Sequence, residues 1–300
     1  MGYLSEPKDG WFIPITFAPP EEEKQTVESQ MRDVLDMLGP ASELAEAQVD
    51  VLRGEWQGGE GKVGHDSPTQ ETFLRLSEST RDGPVILMLH GGGHITGSPA
   101  MERTATFELA RMCHGRVFAV DFRLAPQHPF PAALIDAIIA YKYLVQPPAG
   151  SWHTAVDPSK LIIAGDSSGV RFVINVTDPK GGLAISLMIF LIYSNSNLPL
   201  PAGVLTLSPL FDVTGSFPST RVDTGLDWLP CLYKHPYIPK PSPAWPPAKP
   251  RFDFYTDIPL HPLVQHPSQY YIVLTTGVTR VVGWRTTIRV PAADDNDWEQ

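Results

Sequence analysis

Leu161-Ile162-Ile163-Ala164-Gly165-Asp166-Ser167-Ser168-Gly169 decides the reading of this chain. Its first half is a short apolar run bounded by glycine, the pattern of a strand buried on both faces. Its second half is G-x-S-x-G, a tight strand-to-helix turn that lifts a serine hydroxyl clear of the backbone. Small residues flank the serine because the turn brings chain segments close together. An exposed hydroxyl aimed at a carbonyl is what acyl transfer needs, so Ser167 is the candidate nucleophile.

Upstream, Val85-Ile-Leu-Met-Leu-His90 is a second buried-strand pattern, and it runs into Gly91-Gly92-Gly93. A tetrahedral intermediate places negative charge on the former carbonyl oxygen, and preorganised backbone N–H groups must reach it. Glycines permit that approach. Gly91, Gly92 and Gly93, with the N–H of Ser168, are therefore the expected oxyanion hole. Further strands are expected at Val117–Phe122, Gly203–Ser208 and Tyr270–Thr276, with a helix over Ala132–Val145. Strands alternating with helical periodicity make this an α/β chain with a mostly parallel central sheet.

His90–Pro99 (HGGGHITGSP), Asp121–Leu134 (DFRLAPQHPFPAAL) and GDSSG, with Leu207–Thr214 and Asp227–Pro230, resemble the hormone-sensitive lipase and arylacetamide deacetylase family. The similarity covers roughly residues 85 to 212. It implies an α/β-hydrolase fold with an N-terminal cap, and hydrolysis of short to medium acyl esters without metal or organic cofactor. Phe122 stands where the family usually has tyrosine.

Two departures from the family follow. Residues 170–180 stand between GDSSG and Gly181-Gly182-Leu183-Ala184; deleting them would restore a near match. Their β-branched residues resist the helix expected after the nucleophile. The second departure is the rest of the triad. The last histidine is His266, ahead of Tyr270–Thr276, and the family's acid position falls on Gly283. The triad acid and histidine are thus not found, with Asp212, His261 and His266 as fallbacks. The expectation is a chain lacking its final strand and impaired as an esterase. The alternatives are a binding protein without turnover and a non-functional truncated product.

Around this core, residues 1–70 are expected to form an N-terminal helical cap, with one or two amphipathic helices in Glu21–Val51 and a polar loop over Gly54–Ser67. Residues 71–300 form the core, opening on an edge strand at Glu71–Leu76. Eight prolines between Pro230 and Pro250 exclude helix or inner strand there, and the tail 277–300 shows neither period nor caps. Asp121 and Arg123 are expected to pair, and His94 and Thr96 to line the acyl pocket or cap the next helix.

The composition excludes other classes. With 42% apolar and 19% charged residues the chain can fill a large core. A net charge of −10 with no basic run opposes nucleic-acid binding. Cys113 and Cys231 give neither a disulfide framework nor a metal spacing, and the aspartates at 294, 295 and 297 read as a solvated tail. No secretory signal or membrane-length apolar run stands out, so a soluble, cytoplasmic protein with a small-molecule ester as its partner is expected.

Overall fold

The computed structural model describes residues 10–38, 51–61, 69–166, 183–207, 270–274 and 286–288. Eight strands form one sheet in the order β1-β2-β4-β3-β5-β6-β7-β8. They are β1 (Trp11–Phe17), β2 (Leu52–Gly58), β3 (Val85–Leu89), β4 (Arg116–Val120), β5 (Leu161–Asp166), β6 (Gly203–Leu207), β7 (Tyr270–Leu274) and β8 (Thr286–Ile288). From β4 through β7 neighbouring strands are parallel; β1, β2 and β8 join antiparallel. The helices are α1 (Glu21–Leu38), α2 (Gln70–Ser77), α3 (Pro99–Met112), α4 (Ala132–Val145) and α5 (Leu183–Tyr193).

Alternation along the central strands loads both faces of the sheet. Val85, Leu87 and Leu89 of β3, with Phe118 and Val120 of β4, point into the large core shared with α1, α4 and α5. Ile86 and Met88, with Val117 and Ala119, point to the other face, where Ala110 of α3 meets them. Every residue of β3 is buried, so the strand carries no polar alternation. Helix α4 is likewise buried almost all round, and each fully buried Leu or Ile there contributes about 1.5–3 kcal/mol.

Three expectations are corrected. Glu71–Leu76 is helix rather than edge strand. Thr69 caps it by accepting from Thr72 N at 3.1 Å, and Phe73, Leu76 and Ser77 share its buried face at helical spacing. Second, part of the expected Gly54–Ser67 loop is β2. A Cβ on Gly54 would lie 2.8 Å from the Phe118 ring, and one on Gly58 would lie 2.2 Å from the Trp11 indole. These glycines are strand residues over which neighbouring aromatics lie. Third, residues 1–70 are more than a helical region: α1 lies there, but so do β1 and β2, both paired into the central sheet. Pro14 is tolerated because β1 is an edge strand. Beyond β7 the sheet carries only the three-residue β8, paired antiparallel, among the described residues.

Behind β2 lies a buried aromatic group. The His153 ring packs 5.1 Å from Trp56 and 4.6 Å from Tyr143, and its Nε2–H donates to Tyr143 O at 3.1 Å. Burial pushes His153 down from its ordinary 6.5 to about 4. Between those values the unfolded chain takes up a proton that the folded chain refuses, so stability falls as pH drops from 6.5 to 4. Linkage makes the loss about 3 kcal/mol. Urea midpoints at pH 7 and 4.5 should therefore separate more in the wild type than in His153→Gln. Equal separation would show that His153 does not titrate in this way.

Candidate active site

The parallel pairing of β3 with β5 sets Leu89 beside Gly165, so the two strands end side by side. The glycine loop leaves β3 next to Asp166, the last residue of β5. They are joined there by one bond: Gly91 N–H donates to Asp166 Oδ1 at 2.6 Å. A Cβ on Gly91 would lie 2.3 Å from Asp166 Oδ2. Only glycine lets this carboxylate settle on the loop. Burial pushes the Asp166 carboxyl upward, and the Gly91 N–H pulls against that shift.

The loop then folds on itself. Gly92 O accepts from Ile95 N at 3.2 Å, Thr96 N at 3.0 Å and Thr96 Oγ1 at 3.1 Å. Gly92 and Gly93 have φ values of +109° and +69°, which favour glycine. Gly97, at φ +108°, packs so closely that a Cβ would lie 2.4 Å from His90 Nδ1. That nitrogen lies 2.7 Å from Gly91 O, which can only accept, so the proton is assigned to Nδ1. His90 is buried and stacked on Phe122 at 4.1 Å, and desolvation holds it below its ordinary pKa. It is thus a neutral buttress of the loop.

Two polar links brace this arrangement from outside. Asp136, buried in α4, takes Arg123 N at 2.9 Å and the Arg123 guanidinium at 2.9–3.1 Å. Ala125 N, two residues beyond Arg123, donates to His94 O at 2.8 Å, tying this segment to the glycine loop. On α3, Arg103 pairs with Glu55 of β2 at 2.7 Å and lies over the Phe12 ring. Thr106 also bonds Gln57 of β2.

Among the expected oxyanion donors, Gly91 is corrected: its N–H is committed to Asp166. The Gly92 N–H makes no hydrogen bond among the described residues, and Gly92 is exposed. Gly93 is half-buried beside it. Ser167 follows directly on the last residue of β5, but Ser167 and Ser168 lie outside the described residues, as do Asp212, His261, His266 and residues 170–180. The expected Asp121–Arg123 pair is replaced by Arg123–Asp136, because Asp121 is exposed while Asp136 is buried. His94 and Thr96 do not cap α3; its N-cap residue is Ser98. Asp136 was legible as the lone carboxylate within the apolar run AALIDAIIAYKYLV, a sign of a buried partner. Glu55 and Gln57 carried no comparable signal.

A mostly parallel sheet whose glycine loop lies against Asp166, the second residue of the G-x-S-x-G sequence, is the scaffold that the comparisons then meet. Residues 86–229, just under half of the chain, match the sequence model described as alpha/beta hydrolase fold, and this stretch is similar to arylacetamide deacetylase-like and esterase proteins. It is 32% identical over 143 residues to an acetyl-hydrolase of Streptomyces hygroscopicus, covering 47% of this chain and 41% of that one. It is 30% identical to an esterase of Acinetobacter venetianus, covering 58% and 53%. The human arylacetamide deacetylase-like 2 is 38% identical over 115 residues, covering 37% and 28%. The matched stretches thus span about half or less of these relatives' lengths. Among the described residues no helix is long and apolar enough to cross a membrane.

Proposed function

We propose that this protein is a carboxylic ester hydrolase acting on short to medium acyl esters. The observation that carries the reading is the Gly91–Asp166 junction, which puts the glycine loop beside the residue preceding Ser167. Ser167 attacks the ester carbonyl, and the N–H groups of Gly92, Gly93 and Ser168 receive the oxyanion. The alkoxide leaves after the tetrahedral intermediate collapses, and water releases the acyl group from Ser167. No metal or organic cofactor is needed for these steps.

The triad acid and histidine are not found at the family's positions, and Asp212, His261 and His266 are the fallbacks within these 300 residues for taking the Ser167 proton. The glycine at 283, where the family carries its acid, favours a second reading, a protein that binds small esters without turning them over. Hydrolysis of p-nitrophenyl butyrate by the purified chain and by Ser167→Ala separates the two. Turnover that disappears in the variant establishes the esterase. Equal background rates in two folded proteins, with the ester still bound, establish the binding protein.

A further inference from the structure

At the start of β4, at the end of the sheet opposite the glycine loop, several polar atoms are buried with no hydrogen-bond partner among the described residues. They are Arg116 Nε, Trp56 Nε1, Ser151 Oγ and His153 Nδ1. Packing brings their side chains together. The Arg116 guanidinium lies 5.4 Å from the centre of the Trp56 ring, and the His153 ring lies 5.1 Å from the same ring. Tyr143 closes the group at 4.6 Å from His153. Burial pushes the Tyr143 hydroxyl up, and Ser151 and Trp56 both pull against that shift. Trp56 and His153 are buried, while Arg116 and Ser151 reach the surface in part. Arg116 pairs with no carboxylate among the described residues. Glu78 after α2 is engaged with Arg81, and Asp157 before β5 with Ser159.

Three of these atoms donate and one accepts. Arg116 Nε–H, Trp56 Nε1–H and the Ser151 hydroxyl each have a proton to give. His153 already gives its Nε2 proton to Tyr143 O at 3.1 Å, so Nδ1 of the neutral ring accepts. Burial holds His153 down at about 4, so the ring keeps this form at neutral pH. A half-buried guanidinium without a counter-charge is costly, and so is each unmet buried donor. The partner that answers the whole set is an oxyanion carrying a proton of its own. We infer that Arg116, Trp56, Ser151 and His153 form a binding site for hydrogenphosphate, which accepts from the three donors, neutralises Arg116 and gives its O–H to His153 Nδ1. Sulfate has the same shape and charge but no proton at neutral pH, so it would set a bare oxygen against the Nδ1 lone pair. The site lies at the far end of the sheet from the glycine loop and does not depend on the ester-hydrolase reading.

The test follows the Trp56 indole N–H by NMR in the full chain at pH 7, its cross-peak assigned by its loss in Trp56→Phe. Sodium phosphate, added at an ionic strength held constant with sodium chloride, should move this proton downfield and then saturate. The urea midpoint should rise with the logarithm of phosphate concentration once the site is filled. Sodium sulfate should bind far more weakly. Arg116→Gln should abolish the phosphate response, and Ser151→Ala, which keeps the cation, should weaken binding about tenfold. A flat response or a linear drift with phosphate overturns the inference, as does an equal response to sulfate. Wild-type phosphate affinity in Ser151→Ala also overturns it, and that comparison stands even where Arg116→Gln does not fold. None of these readings involves ester turnover, so their failure leaves the esterase reading untouched.

Discussion

Replacing Gly92 by alanine is expected to lower kcat for p-nitrophenyl ester hydrolysis by about 10²–10³, the cost of losing one oxyanion donor. The reason is local and steric. At φ +109° the backbone is hostile to an L side chain, and the added Cβ would meet Thr96 O at 2.1 Å. Thr96 cannot retreat without breaking its bonds to Gly92 O, so the turn must open and the Gly92 N–H must swing away. Gly93→Ala provides the contrast. Its φ of +69° lies in the left-handed region and costs about 1–2 kcal/mol, but nothing lies within 4 Å of the new Cβ. The Gly93 variant should therefore retain far more activity than the Gly92 variant at equal circular dichroism. If both lose the same fraction, the loop does not act through the Gly92 N–H.

The second large effect is on stability. Asp136→Ala should destabilise the protein by about 3–5 kcal/mol in urea unfolding. Asp136 is 3% exposed, and it satisfies both the Arg123 guanidinium and the Arg123 backbone N–H. Removing it strands a cation and a backbone donor in a place chosen for a carboxylate. Asp136→Asn should fall between wild type and alanine, since the amide oxygen can still accept from one N–H. Because the Arg123 segment also binds His94 O through Ala125 N, the alanine variant should disturb the glycine loop as well. A loss under 1 kcal/mol would mean that the pair is solvated and that the loop is braced by other contacts.

Much of the core was written in local sequence. Val85–Leu89, Leu161–Asp166 and Gly203–Leu207 are short apolar runs bounded by turn residues, and such runs bury themselves wherever a sheet receives them. Ala132–Val145 begins after Pro131 and ends before Pro147-Pro148, so its helix bounds were legible to the residue. The readings that failed involve residues whose partners are distant in the chain. Glu71–Leu76 alternates like a strand, yet the Thr69 cap and the spacing of Phe73, Leu76 and Ser77 make it helical. Gly54 and Gly58 look like loop glycines until Phe118 and Trp11 are placed over them.

The sequence by itself determined the class of the fold and the glycine loop, because each depends on backbone geometry set within a few neighbouring residues. Only the tertiary structure showed that the Gly91 N–H is taken up by Asp166. That depends on the register of β3 against β5, which brings Asp166 onto Gly91 across 75 positions of sequence. The same holds for the pairing of Asp136 with Arg123. A carboxylate's partner is fixed by which strand ends and helix turns meet in space, and a hydrogen bond over a few ångströms leaves no trace in local sequence.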